Sequence, residues 1–380
     1  MIRMSLRLPV VQQEPEVPSR SPCCRSGLIR HQRSTRGLTD IRIGEVTVQR
    51  YMCKRCRKTF TAHPAGVNRS SVSERVKATA VLLYCLGLSY DSAIIALAAL
   101  AAPISKGSAY NYVRAAGEAA RLLHKKALAG KVRMVGQDTT VFKVKGKKAV
   151  ASFITDALSG ATLAIDLVDD EDAQSLRSCL ERVGGADLKL LISDDAGAYR
   201  LVAEQMGLEH QLCITHAKKA LIRRSKSILG QTPKDSAWRK AIVKDTRWLR
   251  KAMAKGKKLT VRLCKRARER LPDYLSAAPP RKGQEATPEY RMRLVLGELV
   301  EHGPDLFTYR NFKDSEGRLL LDGTNNACER AIGWCGKIRY RQMRGAKSRR
   351  SLKDFLYLNA FLWRHKLTGQ GPFQLAALVA

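Results

Sequence analysis

Arg133-Met134-Val135-Gly136-Gln137-Asp138-Thr139-Thr140-Val141-Phe142-Lys143-Val144 is the stretch where the chain changes character. Upstream lie Ala- and Leu-rich helical segments; here β-branched and aromatic residues favour extended backbone, with one acid placed mid-strand. Lys145-Gly146-Lys147-Lys148 follows as a hairpin turn. Ala149 to Thr155 reads as a second strand, and Ala161 to Val168 as a third after a turn at Ser159-Gly160. Glu171 to Val183 carries helical periodicity. Leu188 to Ser193 is a buried-type apolar strand ending at Asp194-Asp195. Ala198 to Met206 is again helical, and Gln211 to Ile214 forms a short strand ending near Thr215-His216.

Three hairpin-connected strands, then helix, strand, helix, strand, is the element order of an α/β, ribonuclease-H-like mixed sheet. The sheet domain is expected over 131–216 and to be completed by 320–366. That return begins with Leu319-Leu320-Leu321-Asp322-Gly323-Thr324-Asn325-Asn326-Ala327-Cys328-Glu329-Arg330-Ala331-Ile332, where an apolar run stops at Asp322-Gly323. Thr324 is a helix-cap residue type, which puts Asn325, Asn326, Glu329 and Arg330 on the first turns of a helix. Residues 337–350 then hold seven cations and no acid. An amphipathic helix from Ser351 to His365 is expected to pack back on the core. Between the two parts, 217–319 reads as a basic helical insertion. Its portion from 217 to 270 holds 20 Lys/Arg against Asp235, Asp245 and Glu269, the single-sign excess of a nucleic-acid track.

The segments before the sheet read separately. Residues 1–20 lack periodicity and are expected to be a disordered tail. Residues 21–66 form a zinc-ribbon-like segment. It opens at Ser21-Pro22-Cys23-Cys24, closes at Cys53-Lys54-Arg55-Cys56, and has strands from Asp40 to Met52 around a turn at Gly44. Ser21 stands where a first thiol would be, so Cys24, Cys53 and Cys56 are the expected zinc ligands, with His31 as a substitute and Cys23 badly spaced. The competing reading is a remnant ribbon held by its hairpin alone. Residues 72–125 contain three helices. The third begins Ser105-Lys106-Gly107-Ser108-Ala109-Tyr110-Asn111-Tyr112-Val113-Arg114, which fits helix-turn-helix docking through Lys106, Tyr110, Asn111 and Arg114, or a plain three-helix linker.

Composition narrows the function. The chain has 380 residues, with 69 Lys/Arg against 34 Asp/Glu and a net charge of +35, which points to a polyphosphate partner. Its 44% hydrophobic content excludes a wholly disordered basic protein. The longest apolar run, Ala93 to Ile104, is too short for a bilayer and contains Pro103, so no membrane association is expected. Scattered cysteines suit reduced thiols in a cytoplasm, near the nucleoid.

Asp138 lies within the first strand and Asp194 ends a later one, and in such a sheet those strands are neighbours. Glu329 on a following helix completes a carboxylate site from positions 56 and 135 residues apart. Hard oxygen ligands with open positions suit magnesium or manganese, and a two-metal site suits in-line displacement at a phosphodiester. Asp195 is the alternative to Asp194, although Tyr199 five residues on favours Asp194. Lys337, Arg339, Arg341 and Arg344, with Asn325, Asn326 and Arg330, are candidate DNA contacts.

Asp194-Asp195-Ala196-Gly197-Ala198-Tyr199, Cys213-Ile214-Thr215-His216 and Thr324-Asn325-Asn326-Ala327-Cys328-Glu329-Arg330 together resemble the DDE transposases of bacterial insertion sequences. The similarity covers nearly everything beyond residue 20, and Asn-Asn-x-x-Glu-Arg is its most specific part. It implies Asp138, Asp194 and Glu329 as the triad, strand cleavage at element ends, and transfer into target double-stranded DNA. Two ends must be joined, so a homodimer or larger assembly is expected. Cys213-x-x-His216 matches a motif of such transposases. Its plainer reading is a core cysteine and a helix-capping histidine rather than a zinc pair, with His216 contacting DNA phosphate as a further option. Two competing readings are a catalytically inactive DNA-binding regulator and a nuclease that cleaves without transferring strands.

Overall fold

A computed structural model describes residues 6–127, 132–184, 187–194, 197–337, 340, 345–368, 373–374 and 376–379. Leu6–Arg7 (β1) pairs in parallel with Phe373–Gln374 near the other end of the chain. Residues 6–20, expected as a disordered tail, instead run along the next sheet. Val11 is buried with Leu38, Val46 and Val67, and Gln12 N–H donates to Ala65 O. Gly66, at φ +70°, accommodates this approach, since a Cβ there would fall 2.2 Å from Val10 O.

Leu28–Gly37 (β2), Glu45–Cys53 (β3) and Thr59–Ala62 (β4) form a three-stranded antiparallel sheet. Its first strand precedes the expected one, because Asp40 serves a turn rather than a ladder. Its buried carboxylate accepts from Arg42 N–H, Ile43 N–H and Ser73 Oγ, and pairs with Arg75 at 3.0 Å. That fastens the sheet to the first helix, Glu74–Cys85 (α1), which Ser73 caps. Tyr90–Ala99 (α2) and Lys106–Ala127 (α3) complete three helices where three were expected.

The strands after Met134 form one five-stranded mixed sheet. Met134–Val144 (β5), Lys147–Asp156 (β6) and Thr162–Val168 (β7) are an antiparallel meander. Leu190–Ser193 (β8) runs parallel to β5, and Glu209–Leu212 (β9) runs parallel to β8. Both faces are covered. Phe153 packs with α3 and the long C-terminal helix Arg349–Thr368, while its neighbour Ile154 packs with Ala173–Gly184 (α4) and Gly197–Gln205 (α5). Alternation along β6 thus serves two cores.

The insertion has its own core. Ile214–Gln231 (α6), Arg239–Ala252 (α7), Arg262–Arg270 (α8) and Pro288–Glu301 (α9) bury Leu221, Ile242, Leu249, Leu263 and Leu296 among others. Asp245, fully buried, accepts from Arg270 at 2.8 and 2.9 Å and from Tyr274 Oη at 2.9 Å. That turns the only acid of α7 inward. Lys240, Lys244, Arg247 and Lys251 are left on an exposed face with no carboxylate of their own helix. The chain returns to the sheet at Asn326–Ile332 (α10), which continues into a π-helical turn, Gly333–Lys337.

Candidate active site

Parallel pairing of Val135 with Leu191 and Gly136 with Ile192 puts Asp138 on β5 beside the end of β8, where Asp194 sits. Glu329 arrives on α10, and the seat of that helix is specific. Asn325 is buried and its Nδ2 donates to Gln137 O at 2.9 Å, one residue before Asp138. A Cβ on Gly136 would lie 2.2 Å from Asn325 Oδ1, so glycine is required for this approach. Asn325 therefore does not face DNA, as expected of it, but clamps the Glu329 helix to the sheet. Nor does Thr324 cap that helix. Its N–H and Oγ1 donate to Asp322, forming a turn, and α10 begins at Asn326.

The electrostatics identify the carboxylates as mutual neighbours. Burial pushes the Asp138 carboxyl up to about 7, Asp194 adds to this, and Glu329 adds a smaller amount. Among the described residues the Thr139 N–H and, to a smaller extent, Lys337 act the other way. Glu329 Oε1 is buried and has no hydrogen-bond partner among the described residues. His216 Nε2 lies 3.4 Å from that oxygen, a contact without hydrogen-bond alignment. A buried carboxyl raised by two neighbouring ones is an arrangement that a divalent cation relieves.

Several supporting residues were not legible beforehand. Glu171 accepts from Thr139 Oγ1 and from Tyr199 Oη, each at 2.9 Å, tying β5 to α5 next to Asp138. Tyr199 thus serves the site by anchoring, and its phenol is pushed far up by burial and then by Glu171. His210 joins Ser193 Oγ at 2.9 Å and Asp305 at 3.4 Å, linking the end of β8 to the exit of the insertion. A histidine on a short strand gives no sequence signal for this role.

Among the remaining candidates, Lys106, Tyr110, Asn111 and Arg114 are all exposed along α3. Lys106 pairs with Asp91 at 2.7 Å, and the Tyr110 ring packs edge-on against Tyr90. Asn326 is half-buried, and Arg330 and Lys337 are exposed. Asp195, Arg339, Arg341 and Arg344 lie outside the described residues.

Among the described residues two groups have metal-ligand composition. Cys23, Cys24, Cys53 and Cys56 have sulfurs all within 4.8 Å of one another. This corrects the expectation for Cys23, whose Sγ is 3.3 Å from that of Cys56. Ser21 is buried and supports the turn, accepting from Ser26 N–H and Cys53 Sγ, and His31 is exposed on β2 outside the group. Cys53 is drawn down to about 6, chiefly by the Cys56 N–H, while Cys24 is pushed up to about 12, chiefly by its contact with Cys56. The second group is Cys213, His216 and Glu329, also mutually within 4.8 Å. Burial pushes the Cys213 thiol up against three backbone N–H groups that favour the thiolate.

No family model matches the chain, and no curated protein does. Solved structures similar to it include integrase and transposase catalytic cores. The HTLV-2 integrase catalytic core in complex with magnesium aligns with 32% of this chain and 85% of its own, at 15% identity and TM-score 0.20. The BIV integrase core aligns over 50% and 91%, at 13% identity and TM-score 0.18. The catalytic domain of Mos1 mariner transposase aligns over 54% and 94%, at 12% identity and TM-score 0.17. Among the described residues no helix is long and apolar enough to cross a membrane.

Proposed function

We propose that this chain is a DDE-type DNA transposase with a ribonuclease-H-like catalytic domain, acting on double-stranded DNA ends and inserting them into target DNA. One observation supports the reading: the buried Asp138 carboxyl is raised by burial, by Asp194 at the neighbouring strand end and by Glu329 on α10, and Glu329 Oε1 has no hydrogen bond among the described residues. Asp138, Asp194 and Glu329 would hold magnesium or manganese. The metal would supply activation of the attacking hydroxyl and neutralisation of charge at the leaving oxygen.

The chain's own residues do the rest. Asn325 and Gly136 hold the Glu329 helix in register with β5. Glu171 and Tyr199 fix the flank of Asp138, and His210 braces the strand end before Asp194. Lys337, Arg330 and Asn326 at the mouth, with the three arginines beyond Lys337, would grip phosphates. The α7 face would extend that track, positioning DNA without reading its sequence. Lys106, Tyr110, Asn111 and Arg114 would dock element ends as a helix-turn-helix. The four cysteines would hold a structural zinc ion, since four clustered thiols share protons that one cation replaces. Two ends in one reaction call for at least a dimer on DNA.

The test is strand cleavage of linear DNA carrying the element's flanking ends, with magnesium or manganese. Wild type should nick at the ends, and Asp138→Ala and Glu329→Gln should bind DNA but not cut. Binding without cleavage by the wild type would favour a regulator derived from a transposase, and cleavage surviving both substitutions would place the site elsewhere.

A further inference from the structure

We propose that Cys213, His216 and Glu329 form a zinc site whose occupation withdraws Glu329 from the carboxylate cluster, so that zinc inhibits the magnesium-dependent reaction. The inhibitory consequence rests on the function proposed above; the zinc site itself does not.

The geometry needs little adjustment. One ligand atom from each residue lies within 4.8 Å of the others, and the His216–Glu329 contact is already 3.4 Å. Tetrahedral zinc holds sulfur, nitrogen and oxygen ligands roughly 3.3–3.5 Å apart, given its bond lengths of about 2.0–2.3 Å. Closing onto an ion therefore asks for about an ångström of movement.

Backbone donors converge on the sulfur. Cys213 is the N-cap of α6, an 18-residue helix, so its thiol sits at the positive end of the helix dipole. The backbone N–H groups of Thr215 and His216 are directed at it, and Asn325 N–H reaches Sγ at 3.2 Å. Three amides around one sulfur offset part of the burial that keeps the proton on the thiol and leave lone pairs for a metal. Glu329 Oε1 is buried without a hydrogen bond among the described residues and lies beside His216 Nε2, which makes these two atoms the nitrogen and oxygen ligands. The His216 and Glu329 side chains are 35% and 34% exposed, which leaves an approach from solvent and room for a water as fourth ligand.

The donor set decides which metal is held. Thiolate, imidazole and a single carboxylate suit zinc, whereas magnesium prefers oxygen alone. Both groups claim Glu329, and one carboxylate fully engaged by zinc is lost to the oxygen site. On binding, the Cys213 S–H proton passes to solvent, a Zn–S bond forms and waters leave the aqua ion. No electron is transferred, so a chelator reverses the step.

The experiment uses the full chain, stripped of metal, with cobalt(II) and then zinc as the probes. Wild type should bind one equivalent more than Cys213→Ser, with cobalt–thiolate absorption lost in proportion, while the four-cysteine cluster contributes equally to both. His216→Gln should lose the same equivalent, which guards against a folding defect peculiar to the cysteine variant. In magnesium, Cys213→Ser should cleave DNA like the wild type yet require about ten-fold more zinc for half-inhibition. Equal stoichiometry in all three proteins, or equal zinc sensitivity of wild type and Cys213→Ser, would overturn the proposal. A wild type that binds the extra equivalent but never cleaves would retain the zinc site and defeat the transposase reading instead.

Discussion

The insertion and the sheet each enclose an aspartate, and the two are provided for in opposite ways. Asp245 has Arg270 across two hydrogen bonds and Tyr274 on a third, so its charge is matched within the protein. Asp138 has the Thr139 N–H, a smaller effect from Lys337, and two further carboxylates raising it. The first arrangement completes a core. The second leaves, among the described residues, a deficit that a divalent cation would fill. A buried acid is thus judged by its partners rather than by its burial, and the distinction can be broken experimentally.

The largest expected effect is on rate. Asp138→Ala or Glu329→Gln should lower end cleavage by about 10⁴-fold, some 5 kcal/mol of transition-state stabilisation, without lowering the melting temperature. Asp245→Ala should do the reverse. Arg270 would keep only its pairing with Asp273 and Tyr274 Oη would lose its acceptor, which should cost about 3 kcal/mol in urea denaturation, with the rate per folded molecule unchanged. A loss below about 1 kcal/mol would erase the contrast between the two acids.

Next comes pH, measured on metal-free protein between pH 4 and 6.5. His124 on α3 is buried against Leu163 O and Tyr357, and burial depresses its imidazole from 6.5 to about 4. The unfolded chain then binds a proton that the folded one refuses, so this group's stability is complete above 6.5 and lost as pH falls toward 4. The term is at most about 3 kcal/mol. Asp138 has the opposite sign: raised from 3.8 to about 7, it stabilises the acid side and loses that contribution as pH rises. Relative to wild type, His124→Gln should flatten or reverse the acid-side loss, and Asp138→Asn should steepen it.

Smaller again, Asp138→Asn should raise metal-free stability at pH 8 by roughly 1–2 kcal/mol, because it removes a repelled charge. The same variant should lose the thermal shift that magnesium gives the wild type. Last, replacing Lys240, Lys244, Arg247 and Lys251 by glutamine should lower the salt slope of duplex binding by up to about 0.9 per lost phosphate contact. Cleavage at saturating protein should be unchanged.

Much of this was legible in the residues, and the exceptions have physical causes. The strands from Met134 to Val168 and the helices after Ser73 follow from periodicity and turn chemistry, which act over a few residues. Ser73 caps α1 as a serine in that position should. Asn325 was misread because an exposed and a buried asparagine look alike in a sequence, and only packing against Gly136 separates them. Cys23 was set aside on spacing, yet the turn at Ser21 swings it within 3.3 Å of Cys56.

By itself the sequence determined the strand and helix order, the single-sign charge of the insertion and the supply of acids and thiols, all consequences of local propensity and composition. Tertiary structure alone decided pairings that no motif announced: Asp245 with Arg270, Asn325 with Gln137, and Cys213 and His216 with Glu329. Charge and ligand geometry act through space over a few ångströms, and only the packed backbone sets which distant residues come that close.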